Sequence, residues 1–233
     1  MERLTGVTPG RTMWMETHLH TRNGSHDGSI TLPELITFSE SHPGWGVCLT
    51  DHDYVWPRRS VEELARQVSG LVVSGVEVTT ELGHVLAYGL DEYVPGIHRI
   101  DKLRREVEQV GGVMVLAHPF RSELSPYYQY GHRPPGLPAI EEVARRPVFD
   151  YVDALEACNG TGTAAEEEAV RTVAALRGLP VTGGSDAHGA GALGRCATQF
   201  STGVSTEREF IEAVLSGGTL AFDLRGGKGV NTV

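Results

Sequence analysis

Histidines and carboxylates recur in short motifs that each adjoin an apolar run of the sequence. The first motif is Glu16-Thr-His18-Leu-His20-Thr21, in which two histidines lie two residues apart. Residues two apart on a strand point to the same face, so both imidazoles are placed to bind one ion. Neutral imidazole is a common ligand of zinc and other transition metals. Taken alone, the motif fits two half-buried strand histidines equally well.

Four further motifs have the same character. They are Leu49-Thr-Asp51-His52-Asp53, Gly75-Val-Glu77 with Gly83-His84, Ala117-His118-Pro119, and Gly183-Gly-Ser185-Asp186-Ala-His188. Alone, the motif around His52 also fits a charged loop, Glu77 a surface residue and His118 a core histidine, whereas the Gly183–His188 motif already favours a functional site. In a closed barrel, however, the carboxyl ends of the strands meet at one rim. Five such ends that carry His, Asp or Glu therefore predict a metal centre with several ions. A ligand set of imidazole and carboxylate without thiolate suits Zn, Mn or Fe.

The turn Ser25-His26-Asp27-Gly28 offers one more ligand, either an imidazole or a carboxylate. Asp-Gly is ordinary turn chemistry, so this segment alone favours a plain turn. Both His26 and Asp27 stay candidates.

Short β-rich runs alternate with helical patterns along the chain, which predicts a barrel or a doubly wound sheet built from βαβ units. The predicted strands are Met13–His18, Gly46–Thr50, Leu71–Val76, Val85–Gly89, Val113–Ala117, Tyr151–Ala157, Pro180–Gly183 and Leu220–Phe222. Capping-box patterns at Thr31, Ser60, Thr163 and Thr206 predict four helix starts. Two more helices are predicted over Ile100–Val110 and Ala139–Arg146.

The pattern predicts one domain over residues 12–225, with flexible segments at 1–11 and 226–233. One irregular stretch, Arg121–Pro138, contains four prolines and three tyrosines. It is long for a connection between elements, and it directly follows the candidate ligand His118. We expect it to select the substrate.

The motifs HLHT, TDHD, GVE with GHVLAYGL, AHP and GSDAH resemble, in this order, those of the polymerase and histidinol phosphatase (PHP) superfamily. The resemblance runs from about Thr17 to His188. It implies a distorted (β/α)7 barrel with a cluster of two to three divalent metals at the carboxyl ends of the strands. It also implies that Glu156 and Asn159 lie near that cluster in a supporting role.

Carried over by position, the resemblance implies three groups of ligands. One metal is held by His18, His20, Glu77 and Asp186, and a second by Glu77, His84 and His118. The third is held by His52, His188 and a residue of the Ser25–Gly28 turn. Many members have Ser-Asp-Gly at this turn, and here Asp27 precedes Gly28, which favours Asp27 over His26.

The implied activity is hydrolysis of a phosphomonoester on a small metabolite, such as a nucleotide or a phosphorylated biosynthetic intermediate. A hydroxide that bridges the first two metals is the expected nucleophile, with Glu77, Asp186 and His188 as catalytic residues. Arg121 and Arg195 are the candidates for binding phosphoryl oxygens. Either arginine fits a surface position equally well.

Three other functions remain open on the sequence. The same metals serve a phosphodiesterase or a 5′-nuclease for short oligonucleotides. An amidohydrolase-like activity is disfavoured, because such enzymes usually add a carbamylated lysine and neither Lys102 nor Lys228 lies in a plausible site. A non-enzymatic scaffold stabilised by metal is disfavoured by the complete ligand set.

Composition excludes several classes of protein and partner. The 233 residues carry 20 Lys and Arg against 30 Asp and Glu, a net charge of -10, which argues against binding to duplex nucleic acid or to an anionic membrane. No segment has the length and apolar character of a membrane helix or a signal peptide. The cysteines Cys48, Cys158 and Cys196 lack CxxC spacing, which predicts a cytoplasmic location and no disulfide framework. The oligomeric state is left open.

Overall fold

Apolar runs form nine strands within residues 12–121 and 139–226, which this computed structural model describes. The strands are β1 (Met13–Glu16), β2 (Gly46–Leu49), β3 (Val72–Thr80), β4 (Gly83–Tyr88), β5 (Val113–Leu116), β6 (Ala154–Asn159), β7 (Val181–Gly184), β8 (Cys196–Phe200) and β9 (Thr219–Asp223). All eight predicted strands are present, and the structure contains one strand, β8, that was not predicted. β3 continues to Thr80, so Glu77 lies inside a strand rather than after its end.

Six α-helices pack on this sheet within the same residues. They are α1 (Leu32–Ser41), α2 (Arg58–Ala65), α3 (Ile100–Gln109), α4 (Ile140–Val143), α5 (Ala164–Arg177) and α6 (Glu207–Leu215). The capping boxes at Thr31 and Thr163 are confirmed, and Thr206 also caps its helix. The prediction at Ser60 was wrong: α2 begins at Arg58, directly after Pro57, whose fixed φ suits a helix start.

The strands form one mixed sheet in the order β7-β6-β5-β4-β3-β2-β1-β8-β9. The pairs β1–β2, β2–β3, β5–β6 and β6–β7 are parallel, as expected of βαβ units. β4 lies antiparallel to both neighbours, because only residues 81–82 connect it to β3 and they leave no room for a crossover helix. β8 and β9 are antiparallel as well. The sheet therefore departs from seven regular βα repeats.

Threonine hydroxyls close the two ends of the sheet into a nearly complete barrel. Thr17 donates a hydrogen bond to the carbonyl of Gly183 (2.9 Å), and the Gly183 amide donates to the hydroxyl of Thr198 (2.9 Å). Thr219 donates to the carbonyl of Val181 (2.8 Å). These side chains bond the backbone groups of β7 that face the seam, where an unpaired polar group would be costly.

A disulfide between Cys158 and Cys196 spans the same seam, from β6 to β8. The expectation of no disulfide was therefore wrong. The two residues are 38 apart in sequence, but the barrel brings their Cα atoms within 5.9 Å, a separation typical of disulfides. β8 was not predicted from the sequence, so this proximity was not predicted either. Cys48 is buried without a disulfide, as expected of a core residue.

Large apolar side chains fill the barrel below the rim. Met15, Tyr88 and Phe200 are fully buried, and the Tyr88 hydroxyl donates to the carbonyl of Thr17 (2.8 Å). The predicted flexible segments and nearly all of the predicted substrate loop, residues 122–138, lie outside the described residues. Among the helices that are described, none combines the length and apolar character that crossing a bilayer requires.

Candidate metal centre

The segments that follow β1 and β7 pair with each other and carry the first candidate ligands. The His20 amide donates to the carbonyl of Ala187 (2.8 Å), and the Ala187 amide donates to the carbonyl of His18 (3.2 Å). This bridge extends the alternation of strand side chains beyond both strands. Leu19 and Ala187 are buried in the apolar core, whereas His18, His20 and Asp186 meet on the other face.

Four buried side chains converge there. The Nε2 atoms of His18 and His20 are 3.2 Å apart, and each lies 3.1 Å from Oε2 of Glu77. Nε2 of His20 is also 3.0 Å from Oδ1 of Asp186. Ligand atoms about 2.0–2.2 Å from a transition metal lie about 2.8–3.6 Å from one another in octahedral or tetrahedral geometry. The donor set and its spacing therefore fit one divalent metal ion.

Glu77 faces a second group of imidazoles with its other oxygen. Oε1 lies 2.8 Å from Nδ1 of His84 and 3.0 Å from Nε2 of His118. Oε2, which faces the first group, also lies 3.3 Å from Nδ1 of His52. A carboxylate that presents one oxygen to each of two imidazole groups has the arrangement needed to bridge two metals.

A third group forms around Asp27 at the rim. Its Oδ2 lies 3.2 Å from Nε2 of His188 and 3.5 Å from Nε2 of His52. His26 belongs to none of the groups of converging ligand atoms among the described residues, although its ring centroid lies 6.2 Å from that of His52. Of the two candidates from the turn, Asp27 is the residue that the fold brings to His52 and His188.

Residues behind the ligands fix the orientation of the histidine rings. Oε1 of Glu156 lies 2.9 Å from Nδ1 of His18, and its Oε2 accepts the amide of His118 (2.9 Å) and the Nδ2 of Asn159 (2.9 Å). A carboxylate at Nδ1 favours the tautomer whose Nε2 lone pair faces the cluster. Ser25 has the same place behind His20, with its Oγ 3.1 Å from Nδ1.

Glu16 ties the two ligand-bearing segments together from below. This fully buried carboxylate accepts the amides of His18 (3.1 Å), Ser185 (2.8 Å) and Gly194 (3.0 Å). Burial raises the pKa of Glu16 to about 7, even though these hydrogen bonds act to lower it. The sequence analysis quoted Glu16 but gave it no role. Its position two residues before His18 was the available signal.

Backbone strain concentrates at the same place. Asp53, His118 and Asp186 have φ angles of 51°, 30° and 49°, and they are the non-glycine residues with positive φ in the described chain. Such conformations cost free energy and persist where the surrounding structure holds them, which is often at functional sites. Here they re-aim His118 and Asp186 as the chain leaves β5 and β7.

Buried carboxylates give the cluster a strong attraction for positive charge. Burial acts to raise the pKa of Glu77, but the neighbouring His18 and hydrogen bonds from the histidines hold it well below its ordinary value. Burial acts to lower the pKa of His18, but the charges of Asp186, Glu156 and Glu77 hold it well above its ordinary value. Such a site is neutralised by protons on the imidazoles or by divalent cations between them.

The two predicted arginines differ in placement. Arg121 reaches the cluster, where its Nη2 donates to Asp186 and to Oδ1 of Asn159 (2.7 Å). Its buried Nε–H has no partner within the described residues. Arg195 lies just before β8 and is exposed, and its side chain contacts none of the ligands among those residues. Its role in binding phosphate stays a prediction.

The model of the family described as PHP-associated matches residues 166–219 of the chain. That segment contains Asp186 and His188, which close the first and third ligand groups. This match supports the PHP-superfamily resemblance of the motifs.

Solved structures with the same fold share little sequence with the chain. A two-domain protein from Bacteroides vulgatus that contains a predicted PHP-like metal-dependent phosphoesterase has a TM-score of 0.63 at 18% identity, over 96% of this chain and 69% of its own. PsfC from Pseudomonas syringae has a TM-score of 0.60 at 17% identity, over 91% of both chains. The lesion-specific endonuclease PfuEndoQ from Pyrococcus furiosus has a TM-score of 0.56 at 17% identity, over 91% of this chain and 58% of its own. No curated protein matches the sequence.

All five motifs thus meet at one end of the barrel. The fold brings together nine of the ten predicted ligands, leaving His26 apart; each ligand role itself remains a prediction. Asp51, which precedes His52, accepts hydrogen bonds from the Thr21 amide (2.6 Å) and from Nε1 of Trp56 (2.6 Å).

Proposed function

We propose that the chain hydrolyses phosphomonoesters of small metabolites at a centre of two to three divalent metals, Zn, Mn or Fe. The observation that carries this proposal is Glu77, whose two carboxylate oxygens each face a separate group of imidazoles. Such a donor set, with Asp186 on one side, is suited to two metals that share one carboxylate.

Divalent metals bound there would supply Lewis acidity toward the phosphoryl group and a nucleophile at neutral pH. The chain's own residues prepare the site for them. Glu156 holds His18 in the ligating tautomer, and Glu16 fixes the spacing between the segments after β1 and β7. Arg121 offers charge-assisted hydrogen bonds from a guanidinium that already lies at Asp186.

Cleavage of phosphodiesters is the second candidate, because one protein with this fold is named a lesion-specific endonuclease. The net charge of -10 favours a small substrate over a nucleic acid, since binding along a phosphate backbone depends on Lys and Arg. For the same reason we expect neither duplex nucleic acid nor a membrane as partner. A cytoplasmic location belongs to the same proposal.

Elemental analysis and paired substrates test the proposal. We expect two to three transition-metal ions per chain and hydrolysis of p-nitrophenyl phosphate that a chelator abolishes and Mn or Zn restores. Less than one metal per chain after reconstitution would exclude the proposed centre. Faster turnover of bis(p-nitrophenyl) phosphate than of the monoester would favour the phosphodiesterase.

A further inference from the structure

The disulfide between Cys158 and Cys196 joins two segments that support the candidate metal centre. In β6, Cys158 lies between Glu156 and Asn159, whose side chains hydrogen-bond to each other. At the start of β8, Cys196 is bonded to the segment that carries Asp186. Both cysteines are fully buried. The disulfide therefore couples two parts of the site through the core rather than across the surface.

The Cys158 end lies at an irregularity of β6. The register of its pairing with β7 shifts between Glu156 and Cys158. A bulge of this kind interrupts the hydrogen-bonded ladder and re-aims side chains. Glu156 lies at this irregularity, with its Oε1 2.9 Å from Nδ1 of His18 and its Oε2 accepting the His118 amide. Backbone pairing thus holds this carboxylate less firmly than a regular strand would, and the disulfide adds a covalent tie two residues away.

The Cys196 end holds the segment after β7. The Cys196 amide donates to Oγ of Ser185 (3.1 Å), and this hydroxyl donates to the Cys196 carbonyl (3.1 Å). Ser185 directly precedes Asp186, whose Oδ1 lies 3.0 Å from Nε2 of His20. The φ angle of Asp186 is 49°, a conformation that persists only where the surrounding structure holds it. One covalent bond thus connects the support of Glu156 with the support of Asp186.

We propose that this disulfide positions Glu156 and Asp186 for metal binding, and that its reduction weakens the metal centre. This inference rests on the proposed function and adds a means of regulating it. Disulfides of cytosolic proteins are usually transient or redox-sensing, so the proposed cytoplasmic location agrees with such a role.

Thiol–disulfide exchange with a dithiol supplies the chemistry of the switch. The two thiolates of the reductant attack in turn, so that the S–S bond of the protein breaks and that of the reductant forms. The two protons of the dithiol pass to Cys158 and Cys196, and an oxidised dithiol reverses the reaction. Because both cysteines are buried, the exchange requires the seam to open locally.

Chelator competition with Mn²⁺ tests the coupling without reference to turnover. Mn²⁺ suits carboxylate ligands, whereas the thiolates freed by reduction select softer ions such as Zn²⁺. The protein is reduced with a phosphine, which is then removed under nitrogen. We expect this form to bind Mn²⁺ about tenfold more weakly than the oxidised protein, within the range for residues behind metal ligands. Equal affinity in the two states, whatever the change in Tm, would overturn the proposal.

The reduction potential of the disulfide gives a second readout. If oxidation strengthens metal binding, then bound metal must stabilise the disulfide by the same factor. At Mn²⁺ concentrations that saturate both states, we expect the potential to fall by about 30 mV, which corresponds to tenfold for two electrons. Thiol labelling in a series of dithiothreitol redox buffers measures it. A potential that Mn²⁺ does not change, or three free thiols in the oxidised protein, would contradict the proposal.

Two variants locate the effect. The double variant Cys158→Ala, Cys196→Ala should bind Mn²⁺ like the reduced wild type under both conditions. Cys48→Ala removes the buried cysteine outside the disulfide and should keep the tenfold difference. A double variant with the affinity of the oxidised wild type, or a Cys48→Ala variant without the difference, would overturn the proposal. Reduction of the wild type needs no substitution, so it decides the question even where a variant does not fold.

The same measurements separate this inference from the proposed function. Mn²⁺ binding that does not depend on the redox state, together with hydrolysis of p-nitrophenyl phosphate, would overturn the inference alone. Absence of Mn²⁺ binding in both states would overturn the proposed function and the inference together.

Discussion

The two ends of the barrel each hold a cavity, and the larger one lies away from the candidate metal centre. At the end opposite the cluster, a cavity of about 690 Å³ lies between α2, α6 and the strands. Ser74, Gly89 and Gly111 line it, and these residues lie at the far ends of β3, β4 and β5 from Glu77, His84 and His118. The cleft beside the cluster has about half that volume.

The chemistry of the two linings differs more than their size. The larger cavity is lined by the carboxylates of Glu62, Asp91, Glu207 and Glu212 and by the exposed Arg58 and Arg208. Its acidic residues are separated along the chain and offer no imidazole. The smaller cleft adjoins imidazoles that share a buried carboxylate. Of these two cavities, volume alone would choose the one away from the cluster, whereas the convergence of candidate ligand atoms favours the smaller cleft.

Removal of the shared charge at Glu77 should have the largest effect. Glu77→Gln keeps the side-chain volume but removes the negative charge that both imidazole groups face, so two metals lose a ligand together. We expect kcat to fall by at least about 100-fold, or about 2.7 kcal/mol in the barrier. Retention of more than about a tenth of kcat would show that Glu77 does not bridge.

Glu207→Gln is the matched control for that variant at the other end of the barrel. Glu207 is a half-buried glutamate that lines the larger cavity, and it belongs to none of the ligand groups. Wild-type kcat is expected. A comparable loss here would mean that the larger cavity takes part in catalysis.

The next effect is expected at Glu156, which lies behind the ligands. Glu156→Gln leaves one side-chain oxygen, which can accept a hydrogen bond either from Nδ1 of His18 or from the His118 amide. The variant also removes the negative charge of the carboxylate. Such partners typically contribute about 10- to 100-fold to metal affinity. Competition with a chelator should show a loss in that range, with Glu62→Gln unchanged. Unaltered affinity in Glu156→Gln would exclude a role for this carboxylate in metal binding.

The candidate ligands could be located from the sequence because they lie in short motifs next to strands. His18 and His20 are fixed relative to each other by strand alternation alone. The role of Glu156 was inferred from family resemblance and agrees with its hydrogen bonds. Glu77 was predicted at a strand end, yet it lies within β3; the pairing of β3 with β4 could not be read from local pattern.

Long-range features escaped prediction for a common physical reason. Cys158 and Cys196, and the hydroxyls of Thr17 and Thr198, meet only when the sheet closes. Strand β8 has a central Thr-Gln and follows a glycine-rich segment, so neither its composition nor its periodicity identifies it locally. Its position depends on antiparallel pairing with β1, nearly 200 residues earlier in the chain.

Arginine substitutions at the two cavities are expected to change the kinetic constants less than the glutamate substitutions do. Arg121→Ala should raise KM or lower kcat/KM by the equivalent of about 1.5–3 kcal/mol, the range for a hydrogen bond to a charged group. Arg208→Ala, at the larger cavity, should leave both constants unchanged because Arg208 is exposed and pairs with Glu212. Arg195→Ala tests the other predicted arginine, since a loss there would show that its exposed side chain reaches the substrate. Wild-type kinetics in Arg121→Ala would remove it from the phosphate site.

The smallest effect concerns the pH dependence of stability at the larger cavity. Burial, with the neighbouring charge of Asp91, raises the pKa of Glu207 above its ordinary value despite Arg58. A carboxyl with a raised folded-state pKa binds its proton more tightly when folded, so it favours folding at low pH. That stabilising contribution is lost as pH rises from the pKa of Glu207 in the unfolded chain through its pKa in the folded protein.

Glu207→Gln should therefore raise Tm relative to wild type at a pH above both pKa values, by no more than about 2 °C, and should not raise it at a pH below both. Thermal melts at pH 4 and pH 8 measure this difference. A Tm shift that is equal at both pH values would show that ionisation of Glu207 does not affect stability.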